Sequence, residues 1–126
     1  MQMVRSLLFA ATMVLAAQAY AQNDALRGTW SGQWIPESGY DAATVRFDVD
    51  GDAITGEMLN PETLAFDTVD FDGTTLELVA EVTSPEHGHF RIEARLEEVT
   101  RLNGTLTHDG VSGELRLTKW TYRPRR

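Results

Sequence analysis

The stretch LRGTWSGQWIP, residues 26–36, decides the fold of this chain. Leu26, Gly28, Trp30, Gly32 and Trp34 occupy every second position, which is the period of a β-strand with one buried face. This parity places both tryptophans on the inner face, at different heights along the strand. Glycine on an inner face permits the strong bending that a small, closed sheet requires.

The same alternation continues to the end of the chain. Tight-turn signals follow several of the alternating segments, such as the Asp-Gly pairs at 50–51 and 72–73. The pattern predicts eight strands, at residues 26–35, 43–49, 54–58, 64–71, 76–82, 90–96, 102–106 and 111–117.

The strand predicted at residues 64–71 changes phase in its middle. Leu64 and Phe66 share one parity, whereas Val69 and Phe71 share the other. A one-residue bulge near residues 67–68 would return all four side chains to the inner face.

Eight short strands joined by tight turns predict an all-β, eight-stranded antiparallel up-and-down barrel. Closure into a barrel removes the exposed edges that an open sheet would have to protect. A two-sheet β-sandwich has the same strand signature and is the alternative. A barrel of this size is either filled by its own side chains or holds one small ligand, and the sequence leaves both options open.

Residues 1–21 have the pattern of a secretory signal peptide. Arg5 precedes an apolar segment at residues 7–17, which is too short to span a bilayer, and AYA at 19–21 has the small residues of a cleavage site. We therefore expect cleavage before Gln22, a single domain at residues 22–126, and an exported protein that is periplasmic or secreted. No membrane span is expected in the mature chain.

Composition narrows the set of partners. The chain has a formal net charge of −8 and no cysteine, so disulfide bonds are excluded and nucleic acid is not expected as a partner. The basic segment at residues 122–126 is the exception, and we interpret it as a solvated terminus.

The predicted topology sorts the loops onto two ends of the barrel. The two longest loops and all three histidines fall at one end, which we predict to be the mouth. Because the predicted interior is almost entirely apolar, we expect a small apolar or amphipathic molecule to bind there, contacting Trp34, Tyr40, Phe90 and His108.

Catalysis, metal binding and a cofactor are not predicted. No carboxylate has inward parity on a well-phased strand, and no cysteine is present as a nucleophile. His87, His89 and His108 fall at one end, but His89 and His108 have opposite parity and are not expected to converge on a metal. We therefore rank an enzyme that uses His108 as the third hypothesis. Small-molecule binding is the first, and protein binding, described below, is the second.

The Gly-Thr-Trp triplet at residues 28–30 resembles the Gly-x-Trp motif of lipocalins and the wider calycin group. That resemblance implies a structural base in which Trp30 closes one end of the barrel and packs against a basic residue of the last strand. Lys119 continues the inward parity of the last strand and is the candidate partner, so Gly28, Trp30 and Lys119 would form the base. The alternative is that the strand frays near Thr118 and that Lys119 reaches water. The chain is shorter than a lipocalin, and it has lysine where that family usually has arginine.

Two other barrel families resemble the same stretch. LRGTW together with DGDAITGEM is similar to the start of avidin-like biotin binders, but the later tryptophan-bearing strands of that family are absent. LRGTWSGQW also resembles the opening of bacterial periplasmic inhibitors of secreted metalloproteases, whose usual disulfide this chain cannot form. A protein partner, such as a secreted enzyme inhibited through the N-terminal segment and the mouth loops, is therefore the second hypothesis.

Overall fold

The computed structural model describes residues 23–121; the predicted signal peptide and the basic segment 122–126 lie outside the described residues. A single helical turn at residues 23–26 precedes nine strands. The strands are β1 (Gly28–Pro36), β2 (Asp41–Asp50), β3 (Ala53–Asn60), β4 (Leu64–Ala65), β5 (Thr68–Phe71), β6 (Glu77–Ser84), β7 (Gly88–Glu97), β8 (Arg101–His108) and β9 (Val111–Lys119). No helix within the described range is long and apolar enough to cross a membrane.

All nine strands belong to one antiparallel sheet in the order β4-β3-β2-β1-β9-β8-β7-β6-β5, curled into a half-barrel. The all-β, barrel-like prediction is therefore confirmed at this level, and the described strands form one sheet rather than the two sheets of a sandwich. β1 is the fourth strand of this order and lies between β2 and the central strand β9. The stretch that decided the fold therefore pairs along both of its edges.

The number of strands differs from the prediction, because the segment predicted as one strand at 64–71 forms two. β4 pairs with β3, and after two residues the chain changes partner, so that β5 pairs with β6 at the far edge of the sheet. Phe66 N donates to Gly56 O (2.9 Å), whereas the next amide, of Asp67, donates to Glu81 O (2.8 Å). The phase change in the sequence therefore marks a change of pairing partner rather than a bulge.

The inner face of the sheet is packed with the residues that the alternation placed there. Nineteen hydrophobic residues are buried in one cluster, and Leu64, Phe66, Val69 and Phe71 are partly buried against it. Phe66 stacks on Phe47 with 6.0 Å between the ring centroids. The two short edge strands, β4 and β5, and the link between them therefore contribute apolar side chains to the same core as the long strands.

The turn between β5 and β6 is organised by one carboxylate. Asp72 Oδ1 accepts hydrogen bonds from the backbone amides of Thr74 (2.8 Å) and Thr75 (3.2 Å). These bonds hold the pKa of Asp72 below its usual value, because they favour the charged form.

A pH dependence follows from this turn. Because the pKa of Asp72 is lower in the folded state, its contribution to stability is present above the unfolded pKa of about 3.9 and is lost as the pH falls through the folded pKa. Asp72→Ala is expected to destabilise the protein at pH 7, with the difference from wild type shrinking below about pH 4. Urea unfolding at several pH values measures this difference, and a constant difference across the series would contradict the assignment.

Candidate functional site

The base of the sheet is closed by the helical turn at residues 23–26. Leu26 is fully buried, and its carbonyl accepts a hydrogen bond from Trp30 Nε1 at 2.9 Å. The carbonyl of Ala25 accepts one from Lys119 Nζ at 3.0 Å. The last carbonyls of the turn thus receive donors from strands β1 and β9, which stabilises a turn too short to be stable alone.

The structure brings Gly28, Trp30 and Lys119 together at this base. Lys119 Nζ lies 5.4 Å from the centroid of the Trp30 ring, within the range of a cation–π contact. A Cβ atom on Gly28, whose φ is +128°, would lie 3.2 Å from Lys119 Cε, so the glycine leaves room for the lysine stem. Desolvation by burial lowers the pKa of Lys119, and the positive charge of Arg27 lowers it further.

At the opposite end, Trp34, Phe90 and His108 form what we call the mouth cluster. The rings of Phe90 and His108 stack with 4.0 Å between centroids and 4° between planes. Trp34 meets the same imidazole edge-on, with 6.4 Å between centroids. Residues of β1, β7 and β8 therefore converge on one histidine.

The mouth cluster is layered. Phe90 is 0% exposed and Trp34 is 6% exposed, whereas the His108 side chain is 33% exposed. Trp34 Nε1 donates to the carbonyl of Leu106 at 2.8 Å, so its polar edge is already bound. Of the three rings, the imidazole is thus the one that reaches solvent, and it contacts both buried rings.

His108 is held in place by the β6–β7 loop. Its Nε2 donates to the carbonyl of His87 at 2.7 Å, with Asp109 Oδ2 at 3.5 Å from the same nitrogen. The other carboxylate oxygen of Asp109 accepts from the backbone amide of His89 at 2.8 Å. A Cβ atom on Gly88 would lie 2.1 Å from Asp109 Oδ2, so the carboxylate can come this close to the start of β7 only because residue 88 is glycine.

The remaining predicted residues of the mouth lie apart from this cluster. Tyr40, in the loop between β1 and β2, is 69% exposed. His89 has the outward position that its parity indicated, with Nε2 3.4 Å from Glu81 Oε2 on β6. Within residues 23–121, no group of three or more His, Asp or Glu side chains could hold a metal ion.

Two features of the structure were missed by the sequence reasoning. The helical turn at 23–26 is too short to show a helical period. Trp120 was not assigned a role, although the inward parity of Lys119 implies that its neighbour points outward. An outward tryptophan is a signal that could have been found.

The chain matches no protein-family model, and comparisons with curated proteins and with solved structures give no significant match.

Proposed function

We propose that this chain is an exported, non-enzymatic binding protein of calycin-like type that takes a small apolar or amphipathic molecule at the mouth. The observation that carries the proposal is the layering of the mouth cluster, in which two buried aromatic rings lie beneath one partly exposed imidazole. The base, by contrast, is filled by Trp30 and Leu26. The ligand site is therefore confined to the rim.

A ligand that reaches Phe90 would have to displace the imidazole of His108 and replace its contacts. A flat apolar group would replace the ring on Phe90, and a polar group beside it would take over the hydrogen bond to the carbonyl of His87. Moving His108 aside breaks one hydrogen bond and two aromatic contacts, at a cost of about 1.5–4 kcal/mol. The geometry favours planar, amphipathic molecules over flexible chains.

A direct test uses an anilinonaphthalene sulfonate probe, which has a flat apolar naphthalene ring and a polar sulfonate, and the NMR signals of the three indole N–H groups. Binding at the mouth is expected to shift the Trp34 signal and to leave the Trp30 signal at the base unchanged. Because His108→Ala removes the cost of displacing the imidazole, it is expected to tighten probe binding about tenfold. His89→Ala, on the outward face of the same end, is the matched control and is expected to change little.

Two results would overturn this assignment: probe binding that His108→Ala leaves equal or weaker, or a probe that shifts Trp30 and not Trp34. Circular dichroism of each variant separates a lost site from a lost fold. Native mass spectrometry of the protein purified from its own host then identifies the class of partner, since a retained small molecule supports the proposal.

Protein binding is the second candidate, and one observation favours it. Tyr40 leaves 69% of its surface exposed in the longest loop at the mouth, as is common for aromatic contacts in protein interfaces. A stoichiometric protein in the same native mass spectrum would favour this alternative. The described N-terminal residues 23–26 are already packed at the base, so the mouth loops are the better candidates for such a contact.

A further inference from the structure

The third tryptophan of the described chain, Trp120, is exposed and yet fixed. It follows β9 and leaves 62% of its surface exposed. Its indole Nε1 donates to Ser31 Oγ, and its backbone N donates to the carbonyl of Thr29 at 2.8 Å. Two hydrogen bonds thus hold a flat apolar surface in one orientation, toward solvent.

A depression on the outer face of the sheet reaches Thr118, two residues before Trp120. Ser31 pairs with Thr118 on the neighbouring strand, about 4.8 Å away, and Thr118 lines this depression. The depression has a volume of about 540 Å³, within the range of roughly 300–1,000 Å³ that is typical of small-molecule sites. Trp120 and the depression together are called the outer dish.

The side chains of the outer dish offer both donors and acceptors. Arg116 Nε donates to Glu114 Oε1 at 2.7 Å, and Asn103 Nδ2 donates to Glu97 Oε2 at 3.1 Å. Arg101 also lines the depression, is exposed, and carries five N–H donors in a planar group. These planar polar groups surround the floor of the depression.

The charges of the outer dish cancel. Its two arginines balance its two glutamates, although the chain as a whole has a net charge of −8. A balanced surface gives no long-range attraction to a strongly charged polymer. The balanced charge of the outer dish therefore suits a ligand that is polar and uncharged.

We propose that the outer dish binds a carbohydrate chain. Sugar hydroxyls both donate and accept, as do the groups around the depression, and the C–H face of a sugar ring packs on an indole. A protein interface would be expected to surround Trp120 with further apolar side chains. The residues beside Trp120 on the outer face are instead Ser31, which accepts its indole N–H, and Thr118, two residues before it. The exposed apolar residue on this part of the surface is Val99, in the turn before β8.

The test follows the indole N–H signals during titration with three neutral hexasaccharides: β-1,4-linked glucose, β-1,4-linked N-acetylglucosamine and α-1,4-linked glucose. At least one is expected to shift the Trp120 signal, while Trp30 and Trp34 stay in place. This readout is independent of the mouth, so the two proposals succeed or fail separately.

Variants make the assignment specific. Trp120→Ala is expected to weaken the hexasaccharide at least tenfold and Arg101→Ala severalfold, whereas Tyr40→Ala is the matched control and is expected to leave affinity unchanged. Because both aromatic residues are mostly exposed, all variants are expected to fold, which circular dichroism checks. Three outcomes overturn the proposal: no hexasaccharide moves Trp120 at millimolar concentration, Trp120→Ala binds as well as wild type, or Tyr40→Ala loses as much affinity as Trp120→Ala.

Discussion

Replacing Trp30 with alanine is expected to lower the free energy of unfolding by about 3–5 kcal/mol. The indole is fully buried, its Nε1 donates to the carbonyl of Leu26, and the ammonium of Lys119 lies 5.4 Å from the ring centroid. Alanine would leave a cavity, an unpaired carbonyl and a partly buried cation without its aromatic partner. Since domains of this size have about 5–15 kcal/mol of stability, the loss would remove between about a fifth and all of it.

Urea unfolding followed by far-ultraviolet circular dichroism measures this loss. Trp120→Ala is the matched control, because it removes the same side chain from an exposed position and is expected to cost at most about 1 kcal/mol. Trp30→Phe separates volume from hydrogen bonding: it keeps most of the ring, loses the donor and is expected to fall between the two. A cost below about 1 kcal/mol for Trp30→Ala would mean that the base is not closed by this residue.

The inner face of the fold could be predicted because a strand's side chains alternate between its two faces wherever its pairing is regular. Trp30, Trp34, Phe47 and Phe90 all have inward parity, and all are buried. Each inference needed only residues two positions apart. Local information of this kind is fully present in one sequence.

The change of partner between β4 and β5 shows where local information ends. The phase slip at residues 66–67 is visible in the sequence, and a bulge would explain it equally well. What decides between them is whether Phe66 and Asp67 bond to the same neighbouring strand, and they do not. That depends on how far the whole sheet curls, which no single segment specifies.

The base illustrates the same limit over a longer distance. Parity placed Lys119 on the inner face, near Trp30, and the structure brings the two together. The hydrogen bond from Lys119 to Ala25 joins residues 94 positions apart and requires the helical turn at 23–26, which has no periodic signature. A contact that depends on an unpredicted element could not be predicted.

At the mouth, the sequence identified residues but not their layering. Trp34, Phe90 and His108 were all predicted to contact a ligand, and they do lie together. Phe90, however, is 0% exposed: it belongs to the core, and the imidazole of His108 stacks on it. That arrangement depends on the rotamer of His108, which the carbonyl of His87 fixes from another loop.

Gly104 allows β7 and β8, the strands that carry Phe90 and His108, to lie close together. Gly104 lies on the inner face of β8, opposite Ala94 on β7 and Leu115 on β9. A Cβ atom built on Gly104 would lie 2.0 Å from the carbonyl oxygen of Glu93 and 2.5 Å from the Cα atom of Ala94. Both obstacles are backbone atoms of the neighbouring strand, so no side-chain movement could relieve the overlap.

Gly104→Ala is therefore expected to cost about 3 kcal/mol or more, at the upper end of the range for overpacked cores. Thr105→Ala, one residue along on the outer face, is the control and is expected to stay within about 0.5 kcal/mol of wild type. Because β7 carries Phe90 and β8 carries His108, forcing the strands apart should also weaken the ring stacking at the mouth and shift the Trp34 indole signal. A Gly104→Ala variant that keeps both its stability and that signal would contradict the close approach of the β7 and β8 backbones at this position.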